Sequence, residues 1–146
     1  MKNLKLAICN DHAGYALKNE VIKFLHENGA QEVKDFGCYS TESCDYADFA
    51  HPMAAALEND EFDFGIAICS SGNGISMTVN KHPKLRAALC WLPELAALAR
   101  QHNDANVLSL PANFISKEAA LEIVKTFFNT HFEGGRHERR VKKIDI

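Results

Sequence analysis

Short apolar runs recur along the chain at intervals that leave room for a helix between them. Each run is five or six residues long and lacks the strict alternation of a half-exposed strand. We therefore expect strands that are buried on both faces, as in a parallel sheet. Residues 31–37, "QEVKDFG", are more polar and predict a weaker strand. The clear runs lie at 4–9, 64–69, 86–91 and 106–110.

Between these runs, apolar residues return every three or four positions, which is typical of an amphipathic helix. In the first such segment Leu17 and Val21 share one face, and Gly29 is placed to end the helix. In the last segment Ser116 is a candidate N-terminal cap. The predicted helices span 15–29, 46–60, 93–103 and 116–132, and a further helix begins near Gly74.

Strands that alternate with helices predict an α/β fold with one five-stranded parallel sheet flanked by helices. The connections are short, so we expect residues 1–146 to form a single domain. Ligands of such sheets bind beyond the carboxyl ends of the strands. Three polar segments are expected at that edge: "CNDHAG" (9–14), "CSSGNG" (69–74) and "RQHNDAN" (100–106).

Composition narrows the class of protein without identifying it. The 146 residues are 47% hydrophobic and 24% charged, with a net charge of −3, which does not favour nucleic acid as a partner. No apolar run is long enough to cross a membrane, and the N-terminus does not resemble a signal peptide. The five cysteines form no CxxC pair, which disfavours disulfides and a zinc site. We therefore expect a cytoplasmic protein.

The stretch "ICSSGNGISM" (68–77) places Cys69 where a buried strand ends and a glycine-rich turn begins. Free cysteines are usually small buried apolar residues, and that interpretation suits Cys9 and Cys90. Cys69 differs because Gly72 and Gly74 follow it and allow a ligand to approach the backbone closely. Free N–H groups in such a turn can favour a thiolate and can bind an oxyanion.

Three familiar phosphate-binding motifs do not fit this loop. A dinucleotide fingerprint needs a third glycine where Met77 stands, and a phosphatase loop needs an arginine where Ile75 stands. The Gly-Lys-Ser/Thr of the Walker loop is also absent. The loop alone therefore indicates anion stabilisation without specifying a reaction.

Two histidine-containing segments are candidates for acid–base or phosphate chemistry. Asp11 and His12 follow the first strand, where they form either a capped turn or a functional pair. His102 and Asn103 end a predicted helix. One interpretation is that His102 interacts favourably with the helix dipole at the end of the helix. The other is that His102, as a second histidine at the same sheet edge, acts as a general acid or base.

The C-terminal segment "EGGRHERRVKK" (133–143) is basic and follows a glycine pair. A helix would place Arg136 and Arg140 on one face, since they are four positions apart. Such a pair suits a phosphate group. The alternative is a solvated, charged terminus.

Taken in order, these segments resemble the ribose-5-phosphate isomerase B family, which includes galactose-6-phosphate and allose-6-phosphate isomerases. The resemblance runs nearly from end to end of the chain. Five motifs carry it: "CNDHAG", "CSSGNGIS", "NK…RAALC", "RQHNDANVL" and "EGGRHERR".

The resemblance implies a Rossmann-like fold with a C-terminal helical tail, and an aldose–ketose isomerase that needs no metal and no cofactor. Its substrate would be a phosphorylated sugar, and it would act as a homodimer or a dimer of dimers with shared active sites. Cys69 would move a proton between C1 and C2 through a cis-enediolate. Some relatives use a glutamate at the position of Ile75, which cannot be a base here.

The remaining roles also follow from the resemblance alone. The Ser71 hydroxyl and the loop amides would stabilise the enediolate, and His102 would open the furanose ring with Asp11 as its partner. Asn103 would hold sugar oxygens. The loop amides belong to Ser70, Ser71, Gly72, Asn73 and Gly74, and the phosphate ligands would be His12, Arg136 and Arg140.

Three positions depart from the family pattern. Ser70 stands where many relatives have glycine, and Ser71 replaces a frequent threonine. Asn113 stands where many relatives have an arginine that holds phosphate. A pentose phosphate remains the first expectation, with a six-carbon aldose phosphate as the alternative. A non-catalytic sugar-phosphate-binding subunit is disfavoured, because binding alone needs no base such as Cys69.

Overall fold

The five predicted strands form one parallel sheet in the computed structural model, which describes residues 1–145. Its strand order is β2-β1-β3-β5-β4. The strands are β1 (Lys5–Asn10), β2 (Glu32–Asp35), β3 (Phe64–Cys69), β4 (Ala87–Leu89) and β5 (Val107–Pro111). β4 is shorter than the predicted 86–91, because it is an edge strand that pairs only with β5, over three residues.

The helices follow the predicted alternation. They are α1 (Tyr15–Glu27), α2 (Tyr46–Glu58), α3 (Asn73–Val79), α4 (Pro93–Asn103), α5 (Lys117–Phe128) and α6 (Arg136–Val141), with a short 3₁₀ helix at His12–Gly14. Ser116 caps α5 as predicted, since its hydroxyl accepts from the Ala119 N–H at 3.0 Å. The predicted extension of α5 to residue 132 is wrong: the helix ends at Phe128, where the apolar pattern gives way to Asn129 and Thr130.

The two faces of the sheet pack against different helices. Ile66 and Ile68 of β3 belong to the core with α1, α4 and α5, whereas Ala67 and Cys69 belong to the core with α2 and α3. Because side chains alternate along a strand, this register directs the Cys69 thiol toward the α2–α3 layer. None of the helices within residues 1–145 combines the length and the hydropathy that a membrane span requires.

The winding of the sheet reverses between β1 and β3. From β1 the chain adds β2 on one side, and then β3 on the other. Ligands of open α/β sheets bind outside the carboxyl ends of the strands at such a reversal. The reversal therefore places Asp11, which follows β1, beside Ser70, which follows β3, at the expected ligand edge.

A buried lysine ties α1 to the segment that follows β2. Lys18 is 1% exposed, and its ammonium group lies 3.0 Å from a carboxylate oxygen of Asp35. The same ammonium donates to the backbone carbonyl of Cys38 and lies over the ring of Tyr39. A buried charge is stable only when it is paired and hydrogen-bonded, so this contact fixes the start of the loop that leads to α2.

We expect Lys18→Met to lower the free energy of unfolding by roughly 2–4 kcal/mol. Breaking a buried ion pair typically costs about 3–5 kcal/mol, and Asp35 is 29% exposed, which lets water recover part of that cost. Urea denaturation measures the change. Lys23→Met, on the exposed side of the same helix, is the control and should stay within about 0.5 kcal/mol of wild type. Equal stability of the two variants would contradict the role given to Lys18.

Candidate active site

Cys69 occupies the position that the sequence predicts, as the last residue of β3. Its side chain is 4% exposed and packs in the core formed with α2 and α3. Burial raises the pKa of three other thiols: that of Cys9, that of Cys44 to about 11, and that of Cys90 to about 12. These three therefore remain protonated near neutral pH, and none of them is suited to act as a base.

The loop after Cys69 is fixed by hydrogen bonds from β5 and the turn that follows it. The Ala112 N–H donates to the Cys69 carbonyl at 2.9 Å, and the Asn113 N–H donates to the Ser70 carbonyl at 3.0 Å. The hydroxyl of Ser109 donates to the Gly72 carbonyl at 2.9 Å, with Ser109 fully buried. These bonds engage the acceptors of the loop along one side.

The same loop leaves its donors unused. Within residues 1–145, the backbone N–H groups of Ser70, Ser71, Gly72 and Gly74 donate to no protein acceptor, and that of Asn73 donates to the Ser71 hydroxyl at 3.3 Å. Several adjacent backbone donors without partners form a concave site for an anion. The loop can therefore stabilise negative charge that develops beside the Cys69 sulfur.

Glycine is required at the centre of this loop for two reasons. Gly72 has φ = 76°, in the left-handed region, and a Cβ there would lie 2.3 Å from Leu89 Cδ1. A Cβ on Gly74 would lie 2.4 Å from the ring of Tyr46, the first residue of α2. The tyrosine ring therefore packs directly on the loop and forms one wall of the site.

Asp11 and His12 are held at the neighbouring strand end. The Asp11 N–H donates to the Ile68 carbonyl at 3.0 Å, which joins the two strand ends. Asp11 Oδ1 accepts from the N–H groups of Ala13 and Gly14, so the capped turn predicted as one alternative is present. The Cys44 N–H donates to His12 Nδ1 at 3.2 Å. A neutral His12 therefore carries its proton on Nε2.

His102 does not share this edge of the sheet, and the expectation that it does is wrong. α4 begins after the carboxyl end of β4 and returns to the start of β5, so His102 and Asn103 lie at the amino edge. A sheet of such strands is roughly 17–20 Å deep. The predicted pairing of His102 with Asp11 therefore does not form within one chain.

His102 has other neighbours at the amino edge. Its ring stacks on that of His137 with the centroids 4.2 Å apart, and its Nε2 lies 3.8 Å from a carboxylate oxygen of Glu133. Burial lowers the pKa of His137, and His102 and Arg136 lower it further. The helix predicted for the basic tail is α6; it contains Arg136 and Arg140, both exposed, four residues apart.

The candidate residues thus form two groups at opposite edges of the sheet. The carboxyl-edge group holds Asp11, His12, Cys69 and the loop 70–74, and the amino-edge group holds His102, Asn103, Arg136 and Arg140. Sequence reasoning missed two residues that shape the first group, Ser109 and Tyr46. The signal for Ser109 was available, since it is the one polar residue in the strand "VLSLP".

Comparison with known proteins identifies close relatives. The model of the ribose/galactose isomerase family matches residues 6–144. Ribose-5-phosphate isomerase B of Escherichia coli is 43% identical over 140 residues, which cover 96% of this chain and 93% of that protein. These matches confirm the family resemblance seen in the sequence motifs.

Solved structures agree with the fold. A ribose 5-phosphate isomerase from Thermotoga maritima superposes with a TM-score of 0.94 at 48% identity, covering 97% of both chains. Ribose-5-phosphate isomerase B from Mycoplasma genitalium, solved with bound ribulose 5-phosphate, has a TM-score of 0.91 at 39% identity and covers 99% of this chain and 95% of its own. The predicted Rossmann-like architecture is confirmed.

We expect Ser109→Ala to loosen the loop and expose Cys69. Removing the hydroxyl leaves the Gly72 carbonyl with the longer 3.3 Å hydrogen bond from the Ser76 N–H, and the loss of one such hydrogen bond typically costs about 0.5–1.5 kcal/mol. The rate of Cys69 alkylation by iodoacetamide, read by mass spectrometry, should rise. The fully buried Cys9 in the same sample should not change. Ser40→Ala, in an exposed loop, is the control variant, and a Cys69 rate equal to that of wild type would contradict the role of Ser109.

Proposed function

We propose that this chain, which belongs to the ribose/galactose isomerase family, interconverts ribose 5-phosphate and ribulose 5-phosphate. The observation that carries the proposal is the Cys69 thiol at the end of β3, directly before a loop in which four of five amides have no protein acceptor within residues 1–145. The relatives with this name match nearly the whole chain. The sequence-based expectation of an aldose–ketose isomerase therefore stands.

In the proposed reaction, the Cys69 sulfur takes the proton from C2 of the open-chain aldose. The electron pair of that C–H bond forms the C1–C2 double bond, and negative charge develops on the C1 oxygen. A sugar C–H is a weak acid, so the step requires stabilisation of that oxyanion. The amides of Ser70 to Gly74 and the Ser71 hydroxyl supply it, and one such donor typically contributes about 3–4 kcal/mol. The proton of the C2 hydroxyl then passes to the C1 oxygen, and return of the first proton from the Cys69 sulfur to C1 gives the ketose.

Neither a metal nor a cofactor has a role in this proposal. The loop amides stabilise the oxyanion, as a Lewis acid would. No electrons leave the substrate, so no redox cofactor is needed. The five cysteines are all free thiols, which suits the reducing cytoplasm that we propose as the protein's location.

The substrate must also be opened and held by its phosphate. We propose that His102 opens the furanose ring and that Asn103 binds sugar oxygens, while His12, Arg136 and Arg140 bind the phosphate. The His12 Nε2–H is a free donor for a phosphate oxygen, because Nδ1 already accepts from the Cys44 N–H. Arg136 and Arg140 are exposed on α6 and reach outward from the chain that carries them.

Because the two groups lie at opposite edges of one sheet, we propose that a complete site forms between two copies of the chain. The amino-edge group of one copy would then face Cys69 of the other, in a homodimer or a dimer of dimers. Large apolar side chains stand exposed beside the loop and suit such an interface. Trp91 is 52% exposed and Phe114 is 74% exposed, and both line a cleft with Ser71 and Asn73.

A six-carbon aldose phosphate remains the second candidate substrate. Asn113 Nδ2 donates to the Ser70 hydroxyl at 2.6 Å, so two of the three departures from the family pattern contact each other. Asparagine is shorter than arginine and carries no charge to hold phosphate at this point. The Ser70–Asn113 pair is therefore the feature that favours a differently sized substrate.

Mixing two inactive variants tests both the function and the shared site. We expect Cys69→Ala and Arg136→Ala each to lose most activity on ribose 5-phosphate. After subunit exchange, a hybrid dimer carries one site that is damaged twice and one that is intact, so activity should partly return. Steady-state assays on five- and six-carbon aldose phosphates supply the readout. Cys69→Ala mixed with Ser71→Ala is the matched control. Cys69 and Ser71 belong to the same carboxyl-edge group, so every site of the hybrid dimer carries one of the two substitutions and activity should not return.

Two results would contradict this account in different ways. Wild-type protein that isomerises none of the sugar phosphates would overturn the proposed function. Full activity of wild type, with no recovery after verified subunit exchange, would show that each site is built within one chain.

We expect Asn113→Arg to tighten the binding of ribose 5-phosphate. A hydrogen bond to a charged group contributes roughly 1.5–3 kcal/mol, so KM should fall about tenfold or more. The kcat should change less, because phosphate is gripped similarly in the ground and transition states. Ser70→Gly, which removes the partner of Asn113 without adding charge, is the control. A raised KM for the pentose in Asn113→Arg, together with a wild-type preference for allose 6-phosphate, would establish the six-carbon alternative.

A further inference from the structure

Three side chains with metal-binding atoms meet at the amino edge of the sheet. One ligand atom from each of His102, Glu133 and His137 lies within 4.8 Å of the other two. Two imidazole nitrogens and one carboxylate oxygen form a donor set that first-row divalent cations accept, and zinc in particular takes three protein ligands with open positions for water.

The second observation is an unpaired nitrogen. His137 is 5% exposed, and its Nε2 is buried without a hydrogen-bond partner among residues 1–145. Buried polar atoms rarely lack a hydrogen-bond partner, so a ligand bound at this nitrogen would explain why it has none in the protein. Because an imidazole ring is small and the two rings stack at 4.2 Å, this nitrogen lies beside the His102 ring.

The backbone holds the three residues together without help from an ion. The Glu133 N–H donates to the Gln101 carbonyl at 3.1 Å, which fixes Glu133 next to the end of α4. Gly134 and Gly135 have φ of 70° and 57°, and no atom of the described residues 1–145 lies within 4 Å of a Cβ built on either, so these glycines serve the turn rather than the packing. The turn brings the start of α6, and with it His137, onto α4.

Side-chain rotations can bring the three ligand atoms to the distances that a bound zinc ion requires. Zinc lies about 2.0–2.2 Å from nitrogen and carboxylate ligands, which requires ligand atoms no more than about 4.4 Å apart. The contact between His102 and Glu133 is already 3.8 Å, and these side chains are 38% and 50% exposed. The His102 ring must turn out of its stack on His137 for both rings to direct a nitrogen at one ion, and the exposure of His102 and Glu133 leaves room for these rotations.

We propose that His102, Glu133 and His137 form a binding site for a divalent cation of the zinc type, and that the bound ion inhibits the protein by engaging His102. The set disfavours Mg²⁺ and Ca²⁺, which prefer oxygen ligands. Arg136 lies next to the site and carries like charge, so the ion is bound reversibly rather than as a permanent part of the fold. The binding site stands on these contacts alone, whereas its inhibitory effect rests on the proposed function.

Zinc affinity measured on chelator-stripped protein tests the site directly. Competition with a chromophoric chelator should give one zinc per chain for wild type. Loss of even an outer-shell partner of a metal ligand costs about 10–100-fold in affinity, so Glu133→Gln and His137→Gln should each bind at least about tenfold more weakly. The Glu133 side chain is 50% exposed and glutamine has nearly the same shape, so we expect Glu133→Gln to fold as wild type does. His131→Gln and Glu138→Gln, exposed in the same segment, are matched controls that should bind as wild type does.

Cobalt substitution and kinetics complete the experiment. A Co²⁺ spectrum without a thiolate charge-transfer band is expected, since the site contains no cysteine. Zinc should inhibit wild type on ribose 5-phosphate, and Glu133→Gln should be active and less sensitive. Affinity unchanged in both cluster variants, no zinc bound by wild type, or a thiolate band with cobalt would each overturn the site. If stripped wild-type protein isomerises no sugar phosphate, the proposed function fails while the zinc affinities still decide the site.

Discussion

The candidate site depends on the hydrogen bonds that join β5 to the loop after Cys69. Ser109 and the backbone of Ala112 and Asn113 engage the carbonyl groups of that loop. With the acceptors held on one side, four of the five amide donors from Ser70 to Gly74 have no protein acceptor among the described residues. A chain segment that would otherwise be a flexible glycine-rich turn thereby becomes a rigid set of donors beside a thiol. Preorganised donors of this kind need no rearrangement when charge develops, which is why they are effective in catalysis.

The parallel winding of the fold determines what one chain can and cannot bring together. Strand ends meet at one edge, so Asp11 and Cys69 become neighbours although they are far apart in sequence. A helix that connects two parallel strands must end near the amino end of the second strand, at the edge of the sheet opposite to Cys69. His102 and α6 therefore lie away from Cys69, and the proposed contact between two copies follows from topology. The stacking of His102 on His137 gives the amino edge a defined geometry of its own.

Much of this arrangement could be predicted from the sequence because it depends on local patterns. The strand at 64–69 and the helix at 93–103 have the predicted bounds, since apolar runs and a proline at the first helical turn mark them directly. The end of α5 and the edge of His102 were predicted incorrectly. Helix α5 ends early because Asn129 and Thr130 are weak helix formers. His102 lies at the amino edge of the sheet because α4 runs from the end of β4 back to the start of β5. Neither Lys18 nor Ser109 could be assigned a partner, because Asp35 and Gly72 approach them only in the folded chain.

The central claim is that Cys69 moves the substrate proton under the loop amides, and hydrogen–deuterium exchange tests it most directly. Ribose 5-phosphate is incubated with the protein in D₂O, and deuterium at C1 of ribulose 5-phosphate and at C2 of recovered ribose 5-phosphate is followed by NMR. We predict that wild type incorporates deuterium as it isomerises, and that Cys69→Ala loses exchange and isomerisation together while still binding the sugar phosphate. Exchange at the wild-type rate in Cys69→Ala would contradict the account.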